Sequence, residues 1–198
     1  MSAPDVDGPY TDDAEDKPEI TVVGVDLSLS ATGIAYTNGA TATIDTRKVS
    51  GAQRLVVIRD AVRLALDVEE WAPDLVVIEG YAFGRPNQAH QIGELGGVVR
   101  VALHEECAEF PHMGWAIVPP AKLKRFATGQ GTANKTAMVV AARDRLGWPG
   151  MDDDQADALW LRAFGLALFD ALDVRLPKTH MAALDGATIV RKPKRLGA

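Results

Sequence analysis

The apolar positions of this 198-residue chain form short β-like runs first and helical stripes afterwards. Ile20–Asp26 is a β-branched run closed by an acid, and Thr32–Thr37 and Ala40–Thr46 follow at short spacing around Asn38-Gly39. Asn-Gly between two apolar stretches is the strongest short hairpin signal, because both residues tolerate the positive φ of a tight turn. These runs predict three antiparallel strands. Leu55, Ile58, Val62 and Leu66 then recur at helical spacing, which predicts a helix from about Gln53 to Trp71, ended by Pro73. Asp74–Glu79 carries the run LVVI closed by an acid, the pattern of a buried parallel strand. A second helix is predicted over Asn87–Phe110, with Ile92, Leu95, Val99 and Leu103 on one face. Trp115–Val118 reads as a strand, Pro119-Pro120 opens a short basic helix, and Thr128–Gly131 is a turn. Helices over Ala133–Leu146 and Asp153–Leu172 close the body. The order is β-β-β-α-β-α-β-α-α, and the fold class it predicts is α/β: a mixed sheet with helices on both faces.

Composition narrows the classes. A hydrophobic fraction of 47% against 24% charged residues supports a packed core and excludes wholesale disorder. A single cysteine, Cys107, excludes an internal disulfide framework and a cysteine-based zinc module. No window holds 18 unbroken apolar residues, and the N-terminus lacks a basic region followed by an apolar run. Neither a membrane span nor a secretory signal is expected, and the cytoplasm is the expected compartment.

The net charge of −6 is unevenly placed. Residues 1–19 carry seven acids against Lys17 and read as a disordered acidic leader. Residues 20–174 form the body. Residues 175–198 carry six bases against Asp185 and read as a basic tail. Global acidity therefore does not exclude a nucleic-acid partner, because binding depends on the local charge that faces phosphate.

The candidate chemistry lies in acids at element ends. Asp26 and Glu79 each close an apolar strand, and an unpaired buried carboxylate is costly. If the two strands are neighbours, both acids sit at one edge of the sheet; otherwise each is an ordinary exposed strand end. Asp154 and Asp157 lie one turn apart on one face of the last helix. Helix capping accounts for Asp152 and Asp153 equally well. Asp157 lies deeper, among Ala156, Ala158, Leu159 and Trp160, where a carboxylate needs a cation. Four such acids brought together repel, and a hard divalent cation, Mg²⁺ or Mn²⁺, resolves the repulsion. Two such ions can activate water and stabilise the leaving oxygen in phosphodiester hydrolysis. His90, His104, His112 and His180 have neither zinc-motif spacing nor an obvious partner and read as packing or surface residues.

Around these acids, the segments VGVDLSLSATGIA (23–35), LVVIEGYAFG (75–84), KLKRFATGQGTANKT (122–136) and DDQADAL (153–159) resemble the RuvC-type Holliday junction resolvases of the ribonuclease H-like nucleases. The resemblance runs in order over about residues 20–170. It implies a ribonuclease H-like mixed five-stranded sheet and a metal quartet of Asp26, Glu79, Asp154 and Asp157. It also implies a homodimer that binds branched DNA, four-way junctions above all, and makes paired symmetric nicks. Gly129, Gly131, Ala133 and Lys135 match the family's Gly-x-Gly-x-Ala-x-Lys pattern, which implies a place for Lys135 beside the scissile phosphate. Lys124 falls where the family tends to have another phosphate-contacting lysine. From the residues themselves, Lys122, Lys124 and Arg125 line an approach to phosphate or form a solvated basic face. Tyr81 and Phe83 bracket the offset at which the family has a base-stacking aromatic, and either ring serves equally well as core. Arg85 follows and is placed to hold a phosphate. Glycines 93, 96 and 97 each cost about 1 kcal/mol in a helix interior. They suggest close approach by this chain's own sheet or, as the resemblance implies, by a second copy.

The favoured reading is a Mg²⁺-dependent structure-selective endodeoxyribonuclease, with Mn²⁺ as a substitute metal and in-line attack of metal-activated water on the phosphodiester. A branched-DNA-binding module without catalysis and a ribonuclease H acting on RNA–DNA hybrids are the alternatives. An actin-like kinase needs two such domains, for which about 150 body residues leave no room. A proofreading-type exonuclease expects Asp-x-Glu on the first strand, whereas Asp26 is followed by Leu27-Ser28.

Overall fold

A computed structural model describes residues 20–67, 72–80 and 89–194. The sequence-predicted acidic leader, Tyr81, Phe83 and Arg85 lie outside the described residues. Strands β1 (Val22–Asp26), β2 (Ala31–Ala35) and β3 (Thr41–Asp45) are followed by α1 (Gly51–Asp67), β4 (Leu75–Glu79), α2 (Ala89–Glu109) and β5 (Gly114–Val118). Helices α3 (Pro120–Thr128), α4 (Lys135–Leu146) and α5 (Asp153–Ala167) come next, then a short helix α6 (Lys178–Met181), a 3-10 turn (Leu184–Gly186) and β6 (Thr188–Arg191).

The strands form one sheet in the order β3-β2-β1-β4-β5-β6. The first three strands are antiparallel, β1, β4 and β5 are parallel, and β6 returns antiparallel to β5. Asn38-Gly39 does turn the β2–β3 hairpin, with Gly39 at φ 84°. Among the described residues the sheet has six strands rather than the expected five. The sixth comes from segment 175–198, read from sequence as a basic tail. Arg191 anchors it: its Nη1 donates to the Cys107 carbonyl at 2.6 Å and its Nη2 to the Pro111 carbonyl at 3.2 Å.

Strand alternation sorts the core into two layers. Val23, Val25, Val76 and Ile78 face α1 and α2, where Ile58, Val62, Leu95, Val99 and Leu103 meet them. Val22, Val77, Ala116 and Val118 face α3, α4 and α5, whose Phe126, Met138, Trp160 and Phe164 fill that side. Gly24 and Asp26 share the parity of Val22, and Glu79 that of Val77, so both acids point toward α5.

Candidate active site

The parallel register that pairs Val25 with Ile78 sets Asp26 beside Glu79, at the carboxyl ends of adjacent strands. That edge is where open α/β sheets place their ligands. Helix α5 brings the other two acids. It can lie flush on the sheet because the residues beneath it are glycines. A methyl on Gly24 would overlap the Ala158 carbonyl and stand 2.5 Å from the Arg162 amide. A methyl on Gly33 would overlap the Asp154 carbonyl. Further along, one on Gly165 would come within 2.6 Å of Val22 and 2.7 Å of Val77.

The first turn of α5 is fixed from several sides. Asp152 caps it, accepting from the Gln155 amide at 3.0 Å, as the capping reading anticipated. Gln155 Oε1 accepts from the Thr41 hydroxyl at 2.7 Å, and its Nε2 donates to Thr43 Oγ1 at 3.1 Å. The Trp160 indole donates to the Met138 carbonyl at 3.3 Å and ties α5 to α4.

Asp26, Glu79, Asp154 and Asp157 line one cavity of about 580 Å³, together with Lys124 and Lys135. Lys124 is carried on α3. Gly129 at φ 83° caps that helix and turns the chain, and Lys135 is the first residue of α4. Asn134 caps α4, its side chain accepting from the Ala137 amide at 2.9 Å. The Lys135 ammonium bonds Asp153 and stands 3.7 Å from Asp154 Oδ1. Asp153, read from sequence as a helix-end acid, is therefore an ion-pair partner of Lys135.

Two other basic positions lie apart from the cavity. Lys122 donates to Asp185 at 2.9 Å, its stem covering Gly186, and Arg125 is exposed on α3. Neither is among the cavity-lining residues. His112 Nε2 lies 2.9 Å from the Ala72 carbonyl, and His180 is buried with Nδ1 2.8 Å from the Phe126 carbonyl, as packing histidines should be.

Burial and crowding keep protons on the acids. Asp26 is raised well above the ordinary carboxylate value, first by burial and then by the charges of Glu79, Asp157 and Asp154. Its contact with Glu79 raises Asp26 further and lowers Glu79. Glu79 is pushed up to about 7 by burial and Asp157, against the opposing pull of that bond, Lys124 and Lys135. Asp157 is raised to about 6 by burial, with Lys135 and Lys124 opposing. Asp154 is raised by burial, and Lys135 opposes.

Among the described residues no three acidic, imidazole or thiol groups already stand together at the spacing of a metal shell. Asp26 pairs with Glu79, and Asp154 stands near Lys135. The donor set nonetheless suits a hard divalent cation. All four groups are carboxylates, and Asp157 Oδ1 is buried with no hydrogen-bond partner among the described residues. A buried carboxylate oxygen without a partner, in a cavity lined by three other acids, is a donor that suits a cation.

A scan against protein-family models finds no match. The chain is 28% identical over 152 residues to the crossover junction endodeoxyribonuclease RuvC of Synechococcus sp. (strain WH7803), spanning 70% of this chain and 92% of that one. Among solved structures it superposes on Thermus thermophilus RuvC with a TM-score of 0.58 at 21% identity, covering 86% of this chain and 100% of the other. The T. thermophilus RuvC structure in complex with a Holliday junction substrate gives a TM-score of 0.61 at 20% identity, covering 87% and 100%. In sequence and in fold this chain is similar to RuvC, the crossover junction endodeoxyribonuclease of these organisms.

Proposed function

We propose that this chain is a metal-dependent, structure-selective endodeoxyribonuclease that resolves four-way DNA junctions by paired symmetric nicks in the cytoplasm. The observation that carries the reading is the convergence of Asp26, Glu79, Asp154 and Asp157 on one cavity with Lys124 and Lys135, in a fold shared with RuvC. A pure binding module has no need to gather four acids where phosphate must come.

Asp26, Glu79, Asp154 and Asp157 would hold Mg²⁺, with Mn²⁺ as a substitute. When bound, such ions supply activation of water and neutralisation of charge at the phosphodiester. Asp26 and Glu79 must both be ionised to act as ligands, which their burial opposes. Lys135 then exchanges its acidic neighbours for the scissile phosphate, and Lys124 holds the approaching strand from α3. Both lysines weaken the repulsion among the acids beforehand.

Paired nicks require two such centres, so the working unit is a homodimer. The exposed face of α2 supports this reading. Gly93 and Gly97 have open space where a side chain would stand, and Val101 follows at the same helical spacing, 59% exposed.

The test is cleavage of a synthetic mobile four-way junction beside flap, linear duplex and RNA–DNA hybrid controls, with Mg²⁺, Mn²⁺ or EDTA. Metal-dependent nicks paired across opposing strands, absent from Asp26→Asn, are expected. Selective cutting of the flap or hybrid would keep the metal chemistry and move the substrate. Tight junction binding with no cutting of any substrate would favour the binding module.

A further inference from the structure

Lys124 and Lys135 provide basic groups on the α3–α4 side of the cavity. Its other side is built from the β1–β2 turn and from two arginines, Arg47 after β3 and Arg54 in the first turn of α1. The two arginines differ in what already holds them. Arg47 forks onto Asp45, with Nε to Oδ1 at 3.0 Å and Nη2 to Oδ2 at 2.6 Å, and its backbone amide donates to the same carboxylate at 2.9 Å. Its charge is matched by an acid. Arg54 is half-buried and donates from Nε and Nη2 to one acceptor, the Val49 carbonyl, at 2.9 and 2.6 Å. A carbonyl orients a guanidinium without neutralising it. Among the described residues Arg54 has no carboxylate partner, and its Nη1 donates to no protein acceptor.

An oriented guanidinium with an unmatched charge, on the wall of a cavity, is a preorganised anion site. It is carried by α1, on the face of the sheet opposite α3 and α4, which carry Lys124 and Lys135. A strand whose phosphate lay over the four carboxylates would therefore continue past Arg54. Arg54 can meet that strand without giving up the Val49 bonds, because the free Nη1 and the second hydrogen of Nη2 remain.

We propose that Arg54 is a phosphate-binding residue, taking the backbone phosphate of the bound strand that flanks the scissile one on the side away from Lys124 and Lys135. The assignment rests on the nuclease reading, and its ligand is the phosphodiester backbone of nucleic acid. Arg47, already matched by Asp45, contributes less.

The experiment measures DNA affinity against salt in the cleavage-inactive Asp26→Asn background, on a four-way junction and on single-stranded DNA. Arg54→Gln should weaken binding by about tenfold and reduce the salt slope by about 1 unit, whereas Arg47→Gln should leave the slope nearly unchanged. A folded Arg54→Gln variant with the parental slope overturns the proposal and leaves the nuclease reading intact. Binding of single-stranded DNA alone, with the Arg54 effect present, supports the proposal and overturns junction selectivity. A parent that binds no DNA overturns both. Should Arg54→Gln fail to fold, arginine-specific modification by phenylglyoxal is read by mass spectrometry in the Asp26→Asn protein. Arg54 should be modified when free and at least about fivefold more slowly when DNA is bound. Equal modification in both states overturns the assignment.

Discussion

Gly33 on β2 lies directly beneath the backbone carbonyl of Asp154, so closely that a methyl group at Gly33 would overlap that oxygen. The helix end that carries Asp154 and Asp157 therefore rests on bare backbone. Gly33→Ala should lift this end of α5. Displacements of about 1 Å at a reacting centre can cost about 100-fold in rate. The expected result is a cleavage loss of that order with junction binding kept within a few fold. Val140→Ala, at an exposed position on α4 outside the cavity, is the folding control. Single-turnover cleavage and gel-shift binding check the pair.

Asp26→Asn and Glu79→Gln should each abolish cleavage and retain junction binding, because each removes a carboxylate without changing its volume. Asp26→Asn should also stabilise the metal-free protein at pH 8, since the folded site opposes ionisation of a carboxyl that ionises freely in the unfolded chain. A rise in Tm of roughly 3–6 °C is expected. Thermal melts in EDTA provide the check, and an unchanged or lower Tm would contradict it.

The same acids set a pH dependence with a definite sign. Asp26, Glu79, Asp154 and Asp157 all hold protons more tightly folded than unfolded. Their stabilising contribution is full below the unfolded carboxylate range, about pH 4. It is lost as pH rises through the folded values, about 6 for Asp157 and about 7 for Glu79. Metal-free protein should therefore lose stability between about pH 4 and pH 7 through these groups. Saturating Mg²⁺ should raise Tm by several degrees at pH 8 and by much less at pH 5, and EDTA should reverse the gain.

Lys135→Ala should reduce cleavage more than binding, by about 10–100-fold against a few fold, because its ammonium stands against Asp153 and Asp154. An equal loss in both would assign Lys135 to docking alone.

Gly129 and His180 give a packing test far from the acids. Gly129 holds φ 83°, and a methyl there would stand 2.8 Å from His180 Nε2. Gly129→Ala should cost about 1–3 kcal/mol by denaturant unfolding. Adding His180→Ala should recover part of that loss, so the two substitutions should be non-additive. Strict additivity would place the whole cost in the backbone.

Local pattern made much of this legible. Asp26 and Glu79 stand out in the sequence as acids that close apolar strands, a pattern that fits an ordinary exposed strand end as well, and Asn38-Gly39 marks the hairpin. The adjacency of β1 and β4 is a tertiary fact, and only it turns two strand-end acids into a pair. Strand β6 was missed because four mostly exposed residues carry no periodicity; pairing with β5 makes them a strand. Helix α5 stops at Ala167, short of the expected Leu172, where the chain turns through Asp170 at φ 56°. Lys122 looked equivalent to Lys124, but Asp185, 63 residues later, draws it away. Arg54 escaped notice because nothing local distinguishes it: its orientation comes from the Val49 carbonyl and its setting from the cavity.

The sheet order has a consequence for how the site moves. β1 and β4 are the two central strands of six, so the backbone beneath Asp26 and Glu79 is flanked by hydrogen-bonded neighbours on both sides. Amide exchange there should require global opening. Asp154 and Asp157 lie in the opening turns of α5, which the Asp152 cap, the Gln155 bonds to β3 and the close approach over Gly24 and Gly33 hold against the same sheet. Both halves of the acid cluster are thus tied to the lifetime of the whole fold. A cation would meet a floor and a helix end that move only as one body.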